Sequence, residues 1–143
     1  MQDEMFMKKA IELSKLAVEH GNEPFGAVLV KNGEIVFSNE NQIYTRHDPT
    51  FHGEAGLIRE FCAQTGITDL HEYTLYSSCE PCFMCSGAMV WVKLGRWVSV
   101  QAILIWSIFS ETPDAIAQKW YLIILSGNRR FRKVFYVKKV FRF

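Results

Sequence analysis

The stretch "PFGAVLVKNGEIVFSNE", residues 24–40, places β-branched and other apolar residues on both sides of Asn32-Gly33. That dipeptide is the strongest short signal for a two-residue hairpin turn, so two antiparallel strands are expected here. Working back toward the amino terminus, Phe6, Ala10, Leu13 and Ala17 recur at helical spacing, with Met7, Ile11 and Val18 beside them. They predict a helix from Met5 to His20, with Gly21 as its stop. Working forward, "RHDPTFHGEAGLIREFCAQTG", residues 46–66, opens on turn chemistry at Asp48-Pro49-Thr50. It continues with Ala55, Leu57, Ile58 and Phe61 on a helical period and ends at Gly66. His52 falls in the first turn of this second helix. Beyond it "HEYTLYSS", residues 71–78, reads as a strand. "CFMCSGAMVWVKLG", residues 82–95, reads as a helix that starts just after Pro81 and is stopped by Gly95, and "RWVSVQAILIW", residues 96–106, as a further strand. Helices alternating with strands predict an α/β sandwich.

Composition bounds the function. The chain has 143 residues, 49% hydrophobic and 14% aromatic, enough for one domain, residues 1–143, around a single core. Its first residues mix charged with apolar side chains, which predicts no signal peptide and a cytoplasmic protein. The apolar run "YLIILSG" falls far short of the ~20 residues a membrane span needs, so no membrane association is expected. Charge is uneven: residues 1–96 hold 13 acidic and 8 basic residues, residues 97–143 hold 2 acidic and 8 basic. In this last part "DAIAQKWYLIIL" fits a helix, while "KVFYVKKVFRF" fits a strand and a basic amphipathic helix equally well.

The cysteines carry the chemistry. Cys79, Cys82 and Cys85 crowd into seven residues, and in an intracellular chain such a cluster points to metal binding or catalysis more than to a disulfide framework. Cys82 and Cys85 stand two residues apart at the start of a helix, where both sulfurs can face one point and the helix dipole favours their thiolates. A CxxC alone also serves redox proteins and structural zinc sites. Here "HGE", His52 to Glu54, lies thirty positions earlier, and H-x-E followed by P-C-x-x-C is the signature of zinc deaminases. Cys62 reads as a core residue, and His20, His47 and His71 as solvated histidines.

Through "PFGAVLV", "RHDPTFHGE" and "SSCEPCFMCSGAM" the chain resembles the cytidine and nucleoside deaminase superfamily over about residues 5–100. The resemblance implies a three-layer α/β/α sandwich with a central mixed five-stranded sheet, a homodimer or larger assembly, and one zinc ion per subunit. It implies His52, Cys82 and Cys85 as the ligands, with water in the fourth position and Cys79 outside the set. Three protein ligands and an open position mark a catalytic rather than a structural site. Glu54 is then the group that moves protons between water, a ring nitrogen and the departing amine. The expected activity is a hydrolytic, ammonia-releasing deamination in purine metabolism. A closed zinc module using Cys79, a pseudoenzyme and a thiol–disulfide oxidoreductase stand as the rival classes.

For the substrate, the resemblance places an asparagine that bonds the base at Asn41 and a tryptophan of the guanine deaminase branch at Trp91, and Phe25 reads as an aromatic lining the pocket. Asn41 also reads as a turn residue, and Phe25 and Trp91 as core aromatics. "SSCEPC" is similar to the guanine branch, which is placed first. "RHDPT" and the basic terminal segment are similar to the tRNA adenosine deaminases, placed second. Residues 101–143 depart from the family pattern. Two readings stand for them: a nucleic-acid surface of Arg129, Arg130, Arg132, Lys133, Lys138 and Lys139 with Phe131 and Phe135 for stacking, or an atypical, frame-altered terminus.

Overall fold

In the computed structural model, which describes residues 2–99, Asn32 and Gly33 both adopt positive φ, 51° and 76°. A type I′ hairpin turn needs that pair of conformations. It joins β1, Gly26–Lys31, to β2, Glu34–Glu40, in an antiparallel pair whose register slips once, between Leu29 and Val30. Helix α1, Gln2–Glu19, precedes them, and α2, Gly53–Thr65, follows. Then come β3, Thr74–Ser77, α3, Phe83–Trp91, and β4, Arg96–Ser99. The strand order is β2-β1-β3-β4, with β1–β3 antiparallel and β3–β4 parallel. The sheet is therefore mixed, as expected, with four strands among the described residues rather than five. The expectations for residues 100–143 lie outside the described residues.

Side-chain alternation makes the three layers. Along β1, Ala27 and Leu29 face one way and pack with Leu57, Ile58 and Phe61 of α2, Leu75 of β3 and Met89 of α3. Val28 and Val30 face the other way and pack with Phe6, Met7 and Ala10 of α1, Tyr76 of β3 and Val98 of β4. A strand apolar on both faces belongs in the middle of a covered sheet. Fully burying each of the larger aliphatic or phenylalanine side chains among them contributes about 1.5–3 kcal/mol.

Several boundaries differ from the sequence expectation, among them β3, which starts at Thr74 rather than His71. Helix α1 begins three residues earlier, at Gln2, because Asp3 and Glu4 suit a first helical turn. Helix α3 stops at Trp91 rather than running to Gly95. Its end is closed by Lys93 in the left-handed conformation (φ 55°), with the Leu94 N–H returning to the Met89 carbonyl. Gly95 serves a different purpose: a Cβ there would lie 1.9 Å from the His71 carbonyl oxygen, so only glycine lets β4 start against the loop before β3.

An ion pair ties α1 to β4. Arg96 donates to both oxygens of Asp3, at 2.6 and 3.0 Å, and the Tyr76 hydroxyl donates to Asp3 at 2.5 Å. The Arg96 guanidinium holds the Asp3 carboxyl below the usual carboxylate range. A lowered folded-state pKa means stability that is present above pH ~4 and lost as pH falls through the folded value. Asp3→Asn should therefore cost about 1 kcal/mol at pH 7, and less at a pH well below ~4. Urea unfolding of wild type and variant at the two pH values measures it, and an equal difference at both would contradict this account.

Candidate metal centre and active site

His52 does not lie inside α2; it is the N-cap, one residue before it, with extended backbone angles (φ −73°, ψ 163°) and no side-chain capping bond. Its imidazole is thereby free to turn toward α3. Cys82 occupies the same position on α3 (φ −68°, ψ 174°), and Cys85 sits buried in that helix's first turn. The two helix starts meet. His52 Nδ1 is 3.5 Å from Cys82 Sγ and 3.7 Å from Cys85 Sγ, and the three donor atoms lie within 4.8 Å of one another. With Zn–S ~2.3 Å and Zn–N ~2.0 Å at a tetrahedral angle, the nitrogen–sulfur edge is about 3.5 Å. One imidazole and two thiol sulfurs at these separations fit zinc. His52, Cys82 and Cys85 are positioned to hold a metal ion, and Cys79 is not part of the cluster.

The electrostatics favour one thiolate in the cluster. The Cys82 thiol is held down to about 4, first by the Cys85 thiol donating to it and then by His52. Cys85 is pushed up by that same Cys82 sulfur and by burial. The His52 imidazole is raised, chiefly by its bond to Cys82. Cys79 is pushed up to about 12 by burial, with the nearby Glu54 charge adding to it. It is a protonated thiol at neutral pH.

Glu54, in the first turn of α2, is 4% exposed. Burial raises its pKa, while the Ser77 hydroxyl and the Cys85 thiol oppose the shift. The Ser77 hydroxyl donates to Glu54 Oε1. That contact was not legible from local pattern. The available signal was period two: Ser77 shares a face of β3 with Leu75, so it is a polar residue at a core position.

The residues expected around a substrate fare differently. Asn41 is 1% exposed, its Oδ1 accepts from the Ile43 N–H, and its own N–H donates to the Phe25 carbonyl. Asn41 and half-buried Phe25 are thus stitched together, and the Phe25 backbone adjoins Gly53 at the start of α2. Trp91 stands apart, 85% exposed at the last residue of α3, and fills no core. Asn39, absent from the expected set, donates its buried Nδ2 to the Gly53 carbonyl at 3.0 Å and accepts from Gln42. The turn before the helix holds as expected, with Asp48 Oδ1 accepting from the Thr50 N–H and hydroxyl.

Two outcomes follow from this geometry. Cys85→Ser should reduce bound zinc, measured by elemental analysis, from roughly one ion per chain to a small fraction. Retention by Cys85→Ser with loss by Cys79→Ser would reverse the ligand assignment. Gly53→Ala should stabilise the fold by about 0.4–1 kcal/mol in thermal or urea unfolding, since a Cβ there meets its neighbours at an ordinary 3.5 Å.

Comparison with known proteins agrees with the site. The family model described as the cytidine and deoxycytidylate deaminase zinc-binding region matches residues 1–101. Guanine deaminase of Bacillus subtilis is 44% identical over 94 residues, 65% of this chain and 60% of that protein. The tRNA-specific adenosine deaminase of the same organism is 46% identical over 97 residues, 68% of this chain and 60% of that protein. The chain therefore spans about three-fifths of the length of these two relatives. The tRNA-specific adenosine deaminase of Buchnera aphidicola is 33% identical over 138 residues, 96% of this chain and 80% of that protein. Among solved structures, the X-ray structure of guanine deaminase from Bacillus subtilis superposes with a TM-score of 0.71 at 36% identity, over 81% of this chain and 74% of that one. With its donor set, its buried glutamate and these matches, the chain belongs to the cytidine and deoxycytidylate deaminase zinc-binding family.

Proposed function

We propose that this chain is a hydrolytic deaminase that replaces a ring amino group of a nucleobase by a carbonyl, with guanine as the first substrate. The observation that carries the reading is the buried carboxyl of Glu54, two residues from a ligand-ready histidine and beside a ligand-ready thiol. Zinc bound by the triad supplies Lewis-acid activation of water at neutral pH. The rest falls to the chain's own groups. Glu54, whose burial raises its proton affinity, takes a proton from the attacking water and delivers it to the ring nitrogen next to the reacting carbon. It then assists protonation of the amine. Water and the cyclic amidine are consumed, and ammonia and the carbonyl product leave. Asn41, held by Ile43 and Phe25, offers its side-chain amide to a base edge, since an amide both donates and accepts.

The guanine reading is supported by "SSCEPC" and by the likeness to guanine deaminase in sequence and structure. A second reading, adenosine in tRNA, is favoured by one specific finding: the alignment with the Buchnera tRNA-specific adenosine deaminase runs through 138 residues and so reaches the basic terminal segment.

Ammonia release by the zinc-loaded protein against guanine, adenosine, cytosine, cytidine and tRNA tests both. Turnover of guanine is expected, and Glu54→Gln should lower it by at least about 10²-fold while keeping its zinc. Turnover of tRNA alone selects the second reading. A zinc-loaded protein silent on the whole panel would mean a non-catalytic zinc module.

A further inference from the structure

We propose that Ser77 is a positioning residue for Glu54: its buried hydroxyl fixes one carboxyl oxygen and leaves the other as the one that moves protons. The inference rests on the deaminase reading above and deepens it. Ser77 is the last residue of β3 and fully buried. Its Cα pairs with Ala27 across to β1 and with Ser99 across to β4, so strands on both sides pin the backbone that carries the hydroxyl. A hydroxyl at a core position is costly unless it is bonded. Here it donates to Glu54 Oε1, and a second acceptor, the Cys79 carbonyl, lies 2.7 Å from it. One hydroxyl proton has two acceptors within reach. The Cys79 carbonyl and Glu54 Oε1 between them hold the hydroxyl in place at the end of β3.

Glutamate has three side-chain torsions, and reactivity depends on holding its carboxyl in one geometry. The first turn of α2 fixes where the Glu54 chain begins, and Ser77 fixes where it ends. Removing the hydroxyl leaves Oε1 without this donor inside the fold, and a hydrogen bond to a carboxylate is worth roughly a 10-fold or larger factor.

The test uses the full zinc-loaded chain, with Ser77→Ala and the shape-matched pair Ser77→Thr and Ser77→Val. The expected result is a fall in kcat of roughly 10-fold or more in Ser77→Ala and Ser77→Val, with KM within about 2-fold and recovery in Ser77→Thr. Wild-type kcat in Ser77→Ala, or equal losses in the threonine and valine variants, would overturn the proposal and leave the deaminase reading intact. Loss of zinc from Ser77→Ala would also overturn it, by placing Ser77 in the integrity of the metal site. A wild type silent on the substrate panel counts against the deaminase reading alone. Crystal structures of wild type and Ser77→Ala then decide this one: a displaced Glu54 carboxyl supports it, and an unmoved one ends it.

Discussion

Putting a carboxyl group in the interior is the constraint around which this site is built. Glu54 is as buried as the apolar residues beside it, and an ionised carboxyl without partners there would be strongly unfavourable. Its placement answers the problem in two ways. It stands in the first turn of α2, where unpaired backbone N–H groups and the helix dipole favour negative charge. From across the sheet layer comes the Ser77 hydroxyl. The cysteines use the same device at α3, whose amino-terminal turn holds Cys82 and Cys85. Two helix starts, each electropositive, face one another across His52, and the acidic chemistry of the site collects between them.

That meeting depends on the sheet. Helix α2 follows β2, and α3 follows β3, while β1 separates those two strands and pairs with both. Both helices pack on one face of the sheet through Leu57, Phe61 and Met89, and α1 covers the other through Phe6 and Ala10. The apolar alternation of β1 therefore does more than make a core. It holds the helix starts side by side, and the 3.5 and 3.7 Å approaches of sulfur to imidazole follow from that.

What the sequence made legible was local. Asn32-Gly33 announced its turn, Gly66 ended α2 in the left-handed conformation expected of it (φ 74°), and H-x-E with P-C-x-x-C named the metal-binding cluster. The failures share a cause, since each depends on residues far away in the chain. Gly95 looked like a helix stop because glycine often is one. The real stop is Lys93, and Gly95 is dictated by the approach of His71 from more than twenty positions earlier. Trp91, placed by resemblance near the base and otherwise read as a core aromatic, stands 85% exposed where α3 ends and fills no core. The bond between Ser77 and Glu54 spans 23 positions, and only the strand pairing reveals it. Asn39 escaped notice for a similar reason, because its partner is a backbone carbonyl on another element.

The three donors of the cluster come from two helix starts, and His52 and Cys82 are thirty positions apart. In an unfolded chain that loop is open, and no preformed cage exists. Closing it is part of folding. The affinity of such a cage for its ion is thus also a contribution to the stability of the folded state, by thermodynamic linkage and mass action. The docking of α2 against α3 and the occupancy of the cage are linked equilibria, so bound metal adds to the stability that the core already provides.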